Sequence, residues 1–258
     1  SNTLRTAASR KLLDGLGLSR DDIDMIIVAT ETPTYHTPSM ATLIQMDLAN
    51  GEEFLAPAYD VNAACTGYIY ALQNAYDMVN SNPEQSVLVV TTESLSPRID
   101  PTDPGTAPIF GDAATATLVT ATDGNGRPLG RGGATVRAKL HRPYLGATGE
   151  DGSLLKVPSD EDQKISMNGP KVFVEAVKDL ILSLRRACEI AGIGEGDLDL
   201  IVPHQANQRI INAVRQRMKA PEEKMYSNIR YNGNTSSSTI PLCLEEVLPA
   251  VCERVLAP

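Results

Sequence analysis

The chain has 258 residues, 42% hydrophobic and 21% charged, a composition ordinary for a globular protein with one large domain or two closely packed ones. A net charge of −9 argues against a nucleic-acid binder, whose phosphate contacts need clustered Lys and Arg. No apolar run approaches the roughly 20 residues that cross a bilayer, and no signal-peptide pattern opens the chain, so no membrane association and a cytoplasmic location are expected. The opening Ser1-Asn2, in place of Met, reads as a processed or engineered start.

In chain order, apolar spacing predicts a helix over Thr6 to Leu16 and a buried strand from Asp24 to Ala29. A second helix is predicted from Pro38 to Leu48, a short strand from Ala58 to Val61, and a third helix from Thr66 to Asn80. Ser86 to Thr91 and Ala113 to Thr120 read as further strands. Gly124 to Pro158 is rich in Gly and Pro and reads as loops and a linker. Helical periodicity returns over Pro170 to Ala191, and Leu198 to Val202 reads as a strand.

Gly17-Leu-Ser-Arg-Asp-Asp-Ile-Asp-Met-Ile-Ile echoes Gly192-Ile-Gly-Glu-Gly-Asp-Leu-Asp-Leu-Ile-Val. Each places a helix end at Gly, a short acidic turn and a buried strand in succession. The separation is too long for a solenoid, and suggests two related halves, taken here as 1–123 and 124–258. Helices alternating with apolar strands predict an α/β architecture with a covered sheet.

The chemistry concentrates in three segments. In Asp60-Val-Asn-Ala-Ala-Cys-Thr-Gly-Tyr68 a strand runs into a small-residue turn, and Cys65 stands where a helix begins. A helix N-terminus offers free N–H groups and partial positive charge, both of which favour a thiolate. Cys65 is thus a nucleophile or, alternatively, a structural thiol. The other cysteines (Cys188, Cys243, Cys252) lie far apart, with no C-x-x-C pair and no His at ligand spacing, and read as reduced thiols without a metal site. Val202-Pro-His-Gln-Ala-Asn207 puts His204 just past a strand, where open α/β sheets bind ligands; a packed or capping histidine is the alternative. Asn234, in Tyr231-Asn-Gly-Asn-Thr-Ser-Ser-Ser-Thr-Ile240, follows an Asn-Gly turn and by itself reads as a helix cap. Together Cys65, His204 and Asn234 form a nucleophile, a donor or base and an amide. A Cys-His-Asn set also serves papain-like proteases, but the context of Cys65 does not match theirs.

Asn62-Ala-Ala-Cys-Thr-Gly67, Pro203-His-Gln-Ala-Asn207 and Gly233-Asn-Thr-Ser-Ser237 together resemble β-ketoacyl-acyl-carrier-protein synthase III. Asp100-Pro-Thr-Asp103, Phe110-Gly-Asp112 and Met167-Asn-Gly169 follow in the family's order, and the resemblance runs from Thr3 to Val251. It implies the thiolase fold, two duplicated α/β halves in five αβαβα layers, and a homodimer. It further implies that Cys65 takes an acyl group from an acyl-CoA. His204 and Asn234 would then assist decarboxylation of malonyl on an acyl carrier protein by hydrogen-bonding the thioester oxygen, with His204 neutral. CoA and phosphopantetheine thioesters enter as substrates, and no cofactor is expected. Arg209 matches a carrier-docking position; Asn207 and Gly169 match substrate-binding positions.

Against the family's pattern, segments before Thr3 and after Pro258 are expected to be lacking. Pro104 stands where an Arg commonly holds the CoA adenine, and Thr37 where an aromatic residue often caps the acyl pocket, implying altered CoA recognition and room for larger acyl groups. Two other readings stay open: acyl transfer from Cys65 to an oxygen or nitrogen nucleophile, and a non-catalytic, truncated partner subunit.

Overall fold

The computed structural model of the chain describes residues 2–130, 136–160 and 163–255. Four strands form one sheet: β1 (Met25–Ala29), β2 (Ala58–Val61), β3 (Ser86–Glu93) and β4 (Ala113–Thr120), in the order β2-β1-β3-β4. β2, β1 and β3 run parallel, with Ile26 beside Ala58 and Leu88, and β4 closes the sheet antiparallel to β3.

Every residue of β3 is buried, as expected for a strand covered on both faces. On one face Ile26, Val28, Leu88 and Val90 pack against helices α1 (Asn2–Leu16) and α2 (Met40–Ala49) through Leu13, Ile44 and Leu48. On the other, Ile27, Ala29, Val87 and Val89 meet α3 (Gly67–Ser81) through Ala71, Leu72 and Ala75. The same face receives Ile240 and Leu244 of α7 (Thr239–Val255), which follows the one-turn α6 (Ile229–Asn232), so residues late in the chain help cover a sheet built from its first 120. Asp60 of β2 accepts the Met40 and Ala41 N–H groups at 2.7 and 2.8 Å, closing the start of α2 and fixing it to the sheet.

Beyond α7 lie α4 (Gly169–Ala191) and α5 (Gln208–Met218), packed through Val177, Ile210, Ile211 and Val214 around Ile201. Between them and α7 runs one parallel bridge, Ile201 beside Met225, made by Ile201 N–H to Lys224 O (2.7 Å) and Tyr226 N–H to Ile201 O (2.9 Å). The layers are therefore α1/α2, sheet, α3/α7, bridge, α4/α5.

The strand predicted over Leu198 to Val202 is shorter than expected, reduced to that bridge. The Leu198 carbonyl accepts the Lys224 ammonium at 2.6 Å, and Pro203 has no N–H with which to extend a ladder. The internal echo is structural: Gly17 (φ 66°) and Gly192 (φ 71°) end α1 and α4, and 3₁₀ turns at Arg20–Asp22 and Glu195–Asp197 follow. Their Asp22 and Asp197 carboxylates accept the Ser19 and Gly194 N–H groups, each at 2.8 Å. Among its described residues, the expected Gly-rich connection (Gly124 to Pro158) holds a 3₁₀ turn at Gly149–Asp151 and the short strand β5 (Leu155–Lys156), which pairs with β6 (Ser166–Met167) beyond it; residues 131–135 lie outside the described ones.

Candidate active site

The parallel strands deliver three reactive side chains to the same edge of the sheet. Cys65 follows β2 in the 3₁₀ turn Ala64–Thr66, which leads directly into α3. Glu31 follows β1, and Glu93 ends β3. Facing them is a second 3₁₀ turn, Ser236–Ser238, which leads into α7. Both turns open on a non-glycine residue with positive φ, Ala64 at 46° and Ser236 at 50°, backbone strain of the kind that persists at functional sites. Gly67 lets the turns close: a Cβ there would lie 3.2 Å from Ala29 Cβ and 3.5 Å from Ser237 Cβ.

Ser236 Oγ lies 3.6 Å from Cys65 Sγ and hydrogen-bonds Glu31 Oε1. Glu93, almost wholly buried, accepts Ser237 Oγ at 2.5 Å, Thr32 Oγ1 at 2.8 Å and the Glu31 N–H at 3.2 Å. Burial, with Glu31 adding to it, pushes Glu93 up to about 8, and burial also raises Glu31. Cys65 is half-buried; burial, then the Glu31 charge, pushes its thiol up to about 12. The low thiol pKa expected from the helix N-terminus is therefore corrected: desolvation and an acidic neighbour outweigh the end of α3 in the free protein.

Asn234 is buried and braced by backbone pairing, with its N–H to Ile109 O at 2.7 Å and its carbonyl accepting Gly111 N–H at 3.0 Å. Gly111 is required there, because a Cβ would fall 2.5 Å from the Asn232 carbonyl oxygen. Asn234 Oδ1 accepts the Ser236 N–H at 2.9 Å, which fixes the orientation of the amide and leaves Nδ2 as the donor end.

His204 comes off the Ile201 bridge, and buried Gln205 anchors its loop by donating to Pro203 O (2.7 Å) and accepting from Ser227 Oγ (3.0 Å) and Asn228 N–H (3.2 Å). His204 Nδ1 lies 2.6 Å from Thr239 Oγ1, at the first residue of α7, and Thr239 Oγ1 lies 3.1 Å from Ser236 O. Burial lowers His204 to about 4, so its imidazole is neutral at physiological pH, as expected. The Thr239 hydroxyl bridges the Ser236 carbonyl, which can only accept, and His204 Nδ1, whose role as donor or acceptor follows the ring tautomer. A hydroxyl donating to Nδ1 leaves Nε2 protonated and free to donate. Thr239→Val is accordingly expected to slow the condensation step about 10-fold, the worth of roughly one hydrogen bond, with Thr239→Ser restoring it in single-turnover assays.

Cys65, His204 and Asn234 are thus gathered around one short segment, residues 234–239. The remaining expected positions are not. Thr37 is exposed in the loop between β1 and α2. Asn207 caps α5, its Oδ1 accepting Ile210 N–H at 3.0 Å, and Arg209 is exposed on the same helix. Gly169 opens α4 and lines a shallow cleft of about 460 Å³ with Met167, Asn168 and Pro170. Glu31, Glu93, Ser236 and Thr239 were not read from the sequence as site residues. A signal existed: Thr30-Glu31-Thr32 and Thr92-Glu93-Ser94 place carboxylates at the ends of adjacent buried strands.

The family profile described as 3-oxoacyl-[acyl-carrier-protein (ACP)] synthase III matches residues 59–131, and that of its C-terminal part matches residues 188–250. The β-ketoacyl-[acyl-carrier-protein] synthase III of Cereibacter sphaeroides is 39% identical over 248 residues, 95% of this chain and 74% of that protein. The chain belongs to the β-ketoacyl-acyl-carrier-protein synthase III family. The crystal structure of the Thermus thermophilus synthase III is 35% identical and superposes with a TM-score of 0.83, covering 98% of this chain and 76% of that one. The priming β-ketosynthase of the R1128 polyketide pathway is 32% identical with a TM-score of 0.80, over 95% of this chain and 72% of that one. The fold is therefore the thiolase fold expected from the sequence, and the chain is a condensing acyltransferase.

Proposed function

We propose that the protein joins an acyl-CoA starter to malonyl on an acyl carrier protein by decarboxylative Claisen condensation, in fatty-acid or polyketide-type synthesis. The observation that carries this reading is the convergence of Cys65, His204 and Asn234 on residues 234–239, with the Asn234 amide held donor-end free. Cys65 carries the acyl group as a thioester. The malonyl thioester oxygen then accepts hydrogen bonds from His204 Nε2 and Asn234 Nδ2, which stabilise the enolate left when CO₂ departs. The enolate carbon attacks the Cys65 thioester, forming the new C–C bond and releasing the sulfur. Both thioesters enter as substrates, and the reading invokes no resident cofactor.

In this reading Thr37 borders the acyl pocket, and Gly169 and Asn207 line the approach of the pantetheine arm. Arg209 and Arg217 are exposed on α5, a helix with no acidic residue, and suit an acidic carrier despite the chain's net charge of −9. We place the enzyme in the cytoplasm as a homodimer. The location is supported by the free thiols of Cys65, Cys188 and Cys243, and the homodimer rests on the family resemblance. The Cys252 side chain lies outside the described residues.

The test supplies acyl-CoA and malonyl-carrier and measures CO₂ and β-ketoacyl-carrier together. Equal release of both is expected. Acyl transfer to an oxygen or nitrogen nucleophile without CO₂ would replace this reading by the alternative acyltransferase.

A further inference from the structure

The scheme above uses Cys65, His204 and Asn234 and leaves one question open: where the Cys65 proton goes. Ser236 has one hydroxyl proton and two neighbours that can take it, the Cys65 sulfur at 3.6 Å and Glu31 Oε1 in a short contact. Both bonds cannot be donated at once. While the thiol is protonated, Ser236 donates to Glu31 and faces Cys65 with a lone pair; once the thiol has given up its proton, Ser236 can donate to the sulfur. The three groups form a continuous path from sulfur to carboxylate, built by the ends of β1 and β2 and the turn before α7.

We infer that Glu31, acting through the Ser236 hydroxyl, receives the proton of Cys65 as the thiol attacks its acyl donor. This rests on Cys65 being the acyl carrier. The S–H bond breaks, and its proton passes to Ser236 Oγ as the Ser236 proton passes to Glu31 Oε1. Sulfur bonds to the acyl carbonyl carbon, the C–S bond to CoA breaks, and the leaving CoA thiolate takes a proton back from Glu31. Ser236 touches the reacting sulfur; Glu31, working through it, is a positioning residue for the proton.

The surroundings fit this task. Among the described residues the ionisable groups facing Glu31 are Cys65, Glu93 from β3 and Arg98 just beyond β3, the last buried and favouring the charged carboxylate. Glu93 also accepts the Glu31 N–H, which holds the Glu31 backbone beside the turn. A carboxyl in burial, its affinity for protons raised, is a better acceptor near neutral pH than an exposed one.

Glu31 could instead act only by repelling the thiolate, and the two roles give opposite signs. Glu31→Gln keeps the shape and an acceptor for Ser236 but cannot take a proton. The experiment follows, from pH 5.5 to 9.5 (from about one unit above the ordinary carboxylate value through the ordinary thiol value), single-turnover acylation of Cys65 by acyl-CoA and its alkylation by iodoacetamide. Both are read by intact mass on the full chain. Glu31→Gln is expected to slow both reactions by about 10²-fold at pH 7, the scale of a lost general base, with the deficit closing as pH rises. Ser236→Gly, at a φ of 50° that glycine adopts freely, is expected to match that loss, and Glu31→Asp to recover part of it. A Glu31→Gln enzyme that reacts as fast as wild type or faster, with the same pH profile, overturns the proposal. A wild type that alkylates but accepts no acyl group removes the acyl-carrier reading instead, and the alkylation profiles still decide the role of Glu31.

Discussion

Cys65→Ala is expected to abolish condensation while leaving the decarboxylation of malonyl-carrier in place. The loss should be on the order of 10⁶-fold, the scale for deleting a catalytic nucleophile. Cys65 is half-buried in a turn of small residues, and Ala63 and Ala64 precede it, so a further alanine fits the local backbone. His204 and Asn234 keep their supports in this variant, because neither Thr239 nor the Ser236 N–H depends on the sulfur. CO₂ should therefore appear without β-ketoacyl product. Absence of both activities in a folded variant would show that decarboxylation requires the acylated cysteine.

The reciprocal result is expected from His204→Ala: Cys65 still acquires its acyl group, but condensation falls by about 10²–10³-fold, the worth of one donor to a developing oxyanion. The pH dependence follows from the same residue. Burial puts His204 at about 4, below the ordinary histidine value, so the neutral donor is fully present above roughly pH 5. Protonation removes it only as pH falls through about 4. The acid limb of the wild-type decarboxylation step, measured on pre-acylated enzyme, should accordingly lie near 4. A limb at the ordinary histidine value would mean that substrate entry rehydrates the ring.

Much of the frame was legible because its signals are local. β2 and β4 match the predicted bounds, and α2, α3 and α4 begin within a residue or two of theirs, since strand runs, caps and glycine ends are written in neighbouring residues. The strand-turn-helix around Cys65 and the His204 loop were read for the same reason. Long-range effects were not. Glu31 N–H and Glu93 lie 62 residues apart in sequence and meet only because β1 and β3 are neighbours in the sheet. The Cys65 thiol was misjudged likewise: the helix end that favours a thiolate is visible in the sequence, whereas the burial and the acid that oppose it exist only once the strands pair. The expected strand at Leu198 gave way to a single bridge because a lysine ammonium took its carbonyl, a competition that apolar periodicity does not register.

The central claim, that Cys65 carries the acyl group, is tested most directly by intact-mass spectrometry after exposure to a panel of acyl-CoAs, with Cys65→Ala alongside. A gain of one acyl group on the wild type, absent from the variant and mapped by peptide digestion to Cys65, is the predicted result. An adduct that persists in Cys65→Ala, or a folded wild type that takes no acyl group from any donor, would contradict it.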